Sequence, residues 1–355
     1  MIFVKNTILE GFNNELEIID LTKGILGNFV NGFYRTEKGS GRLPIENKSV
    51  RSLLKVLDRP KTLEYIGELP AAADISCSEE CQGVANDGTH WFIAQDKLIH
   101  GGLASRGIEN VYPMQFIPPD LKKMGYNHFG DLDYYQGNLF VPLEGEDHGL
   151  EARVLVFKVP MERPLPNRLA LIGSAFLTPA PHGSAAWCAI NPLNELLYTS
   201  DFSSDFLYVY RWEFSSTDVR CELRLIHLGN FALFNEKGEP LKLRRIQGGV
   251  FSKNGHLYLV SDDRDSHGDS GIHGFDMITG RRFLHKHVEY DPDETPPEEL
   301  EGIDIWDLDS GLAPGMSGQI HLIMLDNDEV DLSGPDDDDI YFKHFRVPRG
   351  DEDKI

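Results

Sequence analysis

His182-Gly183-Ser184-Ala185-Ala186-Trp187, a polar turn over Asn191 to Glu195, and Leu196-Leu197-Tyr198-Thr199-Ser200-Asp201 read as two short strands joined by a turn. The first half is small and apolar, as in a strand buried on both faces. Asn191, Pro192 and Asn194 are turn formers, and the Leu-Leu-Tyr-Thr run favours β structure.

The same hairpin recurs along the chain. Gln82-Gly83-Val84-Ala85 leads to Trp91-Phe92-Ile93-Ala94, and Phe129-Gly130-Asp131-Leu132 to Leu139-Phe140-Val141. Gln247-Gly248-Gly249-Val250 leads to Leu257-Tyr258-Leu259-Val260, and Glu301-Gly302-Ile303-Asp304 to Ile320-His321-Leu322-Ile323-Met324. The anchoring glycines Gly83, Gly130, Gly183, Gly248 and Gly302 are 47, 53, 65 and 54 residues apart. Such a spacing is that of a β-propeller blade, a four-stranded sheet repeated around an axis. The expected fold is therefore all-β, a propeller of five blades, or of six if residues 1–60 hide a degenerate one.

Third strands are legible at 153–157, 206–210 and 271–275, and outer strands at 169–173 and 222–227. Each outer strand precedes the inner strand of the next blade. By that logic Thr62 to Gly67 supplies the outer strand of the last blade, beside Ile340 to Val347, and the ring closes by joining its two ends. The first blade is poorly written, with only Val111 to Phe116 as a weak strand between Gly101 and Asp120. The domain reading is an N-terminal extension at 1–60 with a short helix over Asn47 to Leu57, a propeller at 61–348, and a tail at 349–355.

A net charge of −23, from 34 basic and 57 acidic residues, disfavours nucleic acid as a partner. Four cysteines are too few for a disulfide scaffold and are read as ordinary thiols. Lys5, Glu10 and Glu15 interrupt any signal-like run, and no stretch approaches a membrane span. A cytoplasmic protein with no membrane partner is the resulting expectation. The acidic runs 289–301 and 336–339 are read as solvated loops, Glu301 excepted.

In antiparallel neighbours the start of an inner strand and the end of the second strand lie at one mouth of the channel. Gln82, His128 to Asp131, His182, Gln247 and Glu301 open the blades, and Asp96, Glu144, Asp201, Asp262 with Asp263, and Asp326 with Asp328 close them. This ring is the candidate site for a small-molecule substrate. Gln82, Gln247, Asp131, Asp263 and Asp326 are the expected ligand-binding residues. Glu301, His182 and Asp131 are the expected ligands of a divalent metal ion. Oxygen donors favour calcium or magnesium, and the imidazoles admit manganese or zinc. Asp201, His182 and His128 are the expected catalytic residues.

At Glu301-Gly302, at His182-Gly183 with Ala186-Trp187, and at Tyr198 to Asp201, the chain resembles the calcium-dependent propeller hydrolases of the gluconolactonase, paraoxonase and phytase type. The resemblance implies that Glu301 binds calcium, that position 182 is a second ligand and that Asp201 lies near the reacting centre. In this reading the metal polarises a carbonyl or phosphoryl oxygen, and ester or lactone hydrolysis is the first reaction to test. Two alternatives stand beside it: a binding propeller without catalysis, and a metal-assisted lyase or transferase. No Gly-x-Ser-x-Gly elbow and no Gly-rich phosphate loop is present.

Overall fold

The computed structural model describes residues 62–69, 81–95, 98–103, 112–145, 150–162, 164–178, 184–217, 220–263, 269–289, 298–308, 316–326 and 339–348. The expected helix at 47–57 and the tail at 349–355 lie outside the described residues.

Five antiparallel sheets form the ring. Blade 1 runs β2 (Cys81–Asn86), β3 (His90–Gln95), β4 (Leu98–Leu103), β5 (Tyr112–Phe116) from the axis outward. Blade 2 has β6 (Tyr126–Phe129) and β7 (Asp133–Tyr135) innermost, both on β8 (Asn138–Gly145), then β9 (Arg153–Lys158) and β10 (Ala170–Phe176). Blade 3 is β11 (Ala189–Ile190), β12 (Leu197–Thr199), β13 (Phe206–Thr217), β14 (Arg220–Ala232). Blade 4 is β15 (Ile246–Phe251), β16 (Leu257–Ser261), β17 (Gly271–Phe275), β18 (Arg282–Lys286). Blade 5 takes β19 (Glu299–Asp307), β20 (Met316–Asp326) and β21 (Asp339–Pro348), with β1 (Glu64–Leu69) as its outer strand. Among the described residues one short helix, α1 (Pro119–Lys123), links blades 1 and 2.

The ring thus closes as its two ends imply. Glu64 pairs with Arg346 and Leu69 with Phe342, so the edge that β21 would expose is covered. With five sheets joined in a circle the six-bladed alternative falls away.

Each pair of neighbouring blades shares one apolar cluster. Phe92, Phe129 and Phe157 fill the space between blades 1 and 2, and Phe140, Val154, Leu197 and Tyr208 that between 2 and 3. Trp187, Tyr198, Phe251 and Leu259 fill the next, then Tyr258, Ile303 and Leu322, and finally Trp91, Ile93, Ile323 and Phe342. Burying such side chains contributes about 1.5–3 kcal/mol each, so every blade interface is held by apolar burial.

Two elements depart from the expectations. The third strand of blade 1 is β4, whose Leu98-Ile99-His100-Gly101-Gly102-Leu103 has too few β formers to read as a strand. Gly101 leaves room there for the Met114 side chain on β5, which a Cβ would meet. In blade 2 the inner strand breaks between β6 and β7. There Asp131 leaves its own sheet and bridges in parallel to Trp187, its N–H donating to the Ala186 carbonyl at 2.7 Å and its carbonyl accepting the Cys188 N–H at 3.2 Å.

No helix among the described residues is long and apolar enough to cross a membrane. Cys81 and Cys188 are both buried.

Candidate functional site

The repeating glycines mark the level at which the inner strands meet. A Cβ on Gly302 would collide with the Gly83 backbone, one on Gly248 would lie 3.0 Å from Gly302 Cα, and one on Gly130 would collide with the Ala186 carbonyl. Backbone therefore packs on backbone at the axis, which only glycine permits. Gly183, the remaining repeat glycine, lies outside the described residues, as do His182, Asp96 and Asp328.

Asp131 fills the centre of this level. It is fully buried. Its Oδ1 accepts the Val84 N–H at 3.0 Å, and its Oδ2 accepts the N–H groups of Gly249 at 3.0 Å and Ile303 at 3.3 Å. One side chain thereby ties blades 1, 4 and 5, while its backbone ties blades 2 and 3. Burial pushes its carboxyl well above the usual range, against the pull of these three donors. Three main-chain donors on its two oxygens thus hold the Asp131 carboxyl at the axis. In this position the side chain staples the blades together at the level of the axis glycines.

Gln82, Gln247 and Glu301 each immediately precede an axis glycine, and so stand together on the mouth side of that level. Gln247 Nε2 donates to Glu301 Oε1 at 2.8 Å. Glu301 is 1% exposed, and its Oε2 is buried with no hydrogen-bond partner of ordinary geometry. Burial raises the Glu301 pKa well above the carboxylate range, and the neighbouring Glu299 and Asp262 raise it further, with Arg245 opposing. Three carboxyls against one guanidinium leave an excess of negative charge, relieved if Glu301 keeps its proton and shares it with Glu299. Glu299 and Glu301 lie two apart on β19, hence on one face of the strand, and the Glu299 side chain is 23% exposed.

Arg245 and Glu299 are the members that sequence reasoning missed. Arg245 adopts a φ of 46°, a conformation that a long side chain rarely takes and that nothing in the sequence signals. Its carbonyl accepts the Asp262 N–H at 2.9 Å, while Nε and Nη2 contact Asp262 Oδ2 at 3.1 and 3.0 Å and Nη2 lies 3.8 Å from Glu299. Glu299 was hidden in an acidic run read as solvated loop. It is instead the first residue of β19, and its alternation with Glu301 was the available signal.

The remaining acids at strand ends serve their own surroundings. Glu144 Oε2 accepts the Ala185 N–H at 2.7 Å, binding blade 2 to blade 3, and burial raises its pKa against the pull of His128. His128 is partly exposed and pairs in register with Glu144. Asp201 is partly exposed in blade 3, its Oδ2 accepting the Tyr208 hydroxyl at 3.2 Å. Asp263 is buried beside Asp262. Asp326 ends β20, its backbone paired with Asp339.

Among the described residues no three His, Cys, Asp or Glu side chains form a metal-ligand group. Of the three expected ligands, Asp131 accepts three main-chain N–H groups, His182 lies outside the described residues, and Glu301 is buried against Gln247 and Glu299.

No protein-family model and no curated protein matches the chain. Among solved structures it is similar to a luciferin-regenerating enzyme, at 12% identity and a TM-score of 0.42 over 81% of this chain and 95% of the other. The GH43_1 enzyme from Xanthomonas citri gives 12% identity and a TM-score of 0.44 over 83% and 93% of the two chains. The RS223 β-xylosidase gives 11% and 0.43 over 81% and 95%. These values carry no inference about activity. The class of protein, a five-bladed β-propeller, rests on the sheet topology itself.

Proposed function

We propose that the chain is a hydrolase of small esters or lactones, working at the channel mouth between blades 4 and 5 through the Glu299 and Glu301 carboxyl pair. The observation that carries this reading is Glu301 itself. It is buried, fixed by Gln247 on one oxygen, unpartnered on the other and in contact with a second, partly exposed carboxyl. Burial holds Glu301 toward its protonated form beside a more exposed carboxyl, an arrangement that can offer an acid next to a base.

Glu299, the member open to the mouth, takes the proton of an attacking water as its oxygen bonds to the substrate carbonyl carbon. The carbon–oxygen bond to the leaving group then breaks, and the pair returns the proton to the departing oxygen. Glu301 is the positioning member that keeps the pair from carrying two charges. Arg245 holds Glu299 and Asp262 in place.

The test is turnover of a set of small lactones and aryl esters by the wild type, Glu299→Gln and Glu301→Gln. The expected result is hydrolysis by the wild type, a loss of about a hundredfold or more in Glu299→Gln, and in Glu301→Gln a lower kcat with a displaced pH profile. Wild-type activity left intact in both variants, or no turnover of any member of the set, contradicts the proposal.

A further inference from the structure

One arginine ties the chain that joins blades 3 and 4 to the interior of blade 4. Between β14 and β15 this chain forms a strap, residues 233–245, which runs on to Arg245 at the mouth. The Phe234 N–H donates to the Gly280 carbonyl at 2.9 Å, and the Phe234 carbonyl accepts the Arg282 N–H at 2.8 Å. Glu236 takes the Arg282 guanidinium as a fork, Nε to Oε1 at 2.7 Å and Nη2 to Oε2 at 3.2 Å.

The remaining nitrogen of that guanidinium meets a buried histidine. Arg282 Nη1 lies 3.0 Å from His273 Nδ1 and 3.5 Å from Asp269 Oδ1. An arginine keeps its protons, so Nη1 donates and Nδ1 accepts. The other ring nitrogen, Nε2, lies 2.8 Å from the Asp269 carbonyl, which only an N–H satisfies. These two contacts define His273 as a neutral ring with its proton on Nε2. A second proton would have to sit on Nδ1, against the arginine N–H. His285, the register partner on β18, stacks on His273 with ring centroids 4.5 Å and planes 8° apart, its own Nε2 3.1 Å from the Ser270 carbonyl. The charged and titratable groups about His273 are thus Arg282 and His285 on β18, Asp269 before β17 and Glu236 on the strap, while its partner on β16, Leu259, is apolar. Burial first, then His285 and Arg282, depress the His273 pKa well below 6.5, and the Asp269 carbonyl opposes them.

We propose that His273 is an acid-sensitive latch: a proton on its Nδ1 drives the Arg282 guanidinium away, and the strap loses its side-chain anchor on blade 4. Above pH 6.5 both forms of the ring are neutral and the latch is complete. Below it the open form takes up a proton that the closed form refuses, so opening grows by about tenfold per pH unit for one proton. The latch does not depend on the mouth being a hydrolase site, so the two readings stand or fall separately.

Hydrogen exchange at pH 7.5 and 5.5, corrected for the intrinsic pH dependence of exchange, tests this at the Phe234 and Arg282 amides, which cross between strap and blade 4. The Leu259 amide on β16 is the reference for global unfolding. The expected result is opening at the two crossing amides that is about tenfold greater at pH 5.5, with Leu259 unchanged. In His273→Gln, whose amide offers an acceptor and a donor without a titrating proton, the two pH values should give the same opening. Glu236→Gln alters a side chain that is 48% exposed and leaves the core intact, so it keeps the test sound if His273→Gln melts early. It should open the crossing amides severalfold already at pH 7.5. Equal wild-type opening at both pH values, a rise shared by Leu259, an acid rise retained in His273→Gln, or unchanged opening at pH 7.5 in Glu236→Gln overturns the proposal.

Discussion

Asp131 Oδ2 accepts the Gly249 N–H at 3.0 Å across 118 residues of sequence. With Val84 and Ile303 on the same carboxylate, this contact gathers distant blades on one side chain. Asp131→Asn turns an acceptor into a group that is half donor and sets an N–H against an N–H. We expect a loss of at least about 2 kcal/mol in urea unfolding. An unchanged midpoint would show that the staple contributes nothing.

The axis glycines give a sharper test of packing. Gly302→Ala places a methyl against the Gly83 backbone, which cannot rotate away as a side chain would. It should destabilise by about 1–3 kcal/mol or more. Gly88→Ala, at a turn where a Cβ meets nothing within 4 Å, controls for the loss of glycine alone, although its φ of 84° adds strain of its own. Equal melting temperatures for Gly302→Ala and the wild type would contradict backbone contact at the axis.

Asp304 sets a pH dependence. It accepts from Asn86 Nδ2 at 2.5 Å and from the Ile305 N–H at 2.7 Å, yet burial first, and then Asp133, raise its pKa from 3.8 to about 8. Burial likewise lifts Asp133 to about 6. A carboxyl whose folded pKa is raised adds stability that is complete below its unfolded value and is lost as pH rises through the folded one. Stability should therefore fall between about pH 4 and 8, by up to about 1.4 kcal/mol per pH unit for each group while it titrates. Asp304→Asn should flatten that fall. His273 acts in the opposite sense, because burial depresses its pKa and its contribution is lost as pH drops below 6.5. A wild-type profile that Asp304→Asn reproduces unchanged would refute the assignment.

Much of this architecture was legible because propeller geometry writes itself into side-chain alternation and glycine placement. The alternating Thr62 to Gly67 segment and its partner Ile340 to Val347 announced ring closure, and Gly83, Gly248 and Gly302 announced the axis. What the sequence hid were features decided by three-dimensional neighbours. Asp131 reads like any acid beside a glycine, and only the convergence of Val84, Gly249 and Ile303 shows that it staples the blades. Arg245 gives no sign of its positive φ. β4 was missed because Gly101 serves the packing of Met114 rather than a turn.

A bound cation would stabilise by mass action. The carboxyl pair operates through a shared proton, so we expect the melting temperature at neutral pH to be the same with and without a chelator. A fall of several degrees would show that a cation is bound in the native protein.

The claim on which the functional account depends is that Glu301 keeps a proton at neutral pH. Infrared spectroscopy on wild type and Glu301→Gln at pH 7 reads this directly, because a protonated carboxyl has a carbonyl stretch distinct from that of a carboxylate. The account predicts a protonated-carboxyl band in the wild type that is lost or reduced in Glu301→Gln. Spectra that match in the protonated-carboxyl region would contradict it.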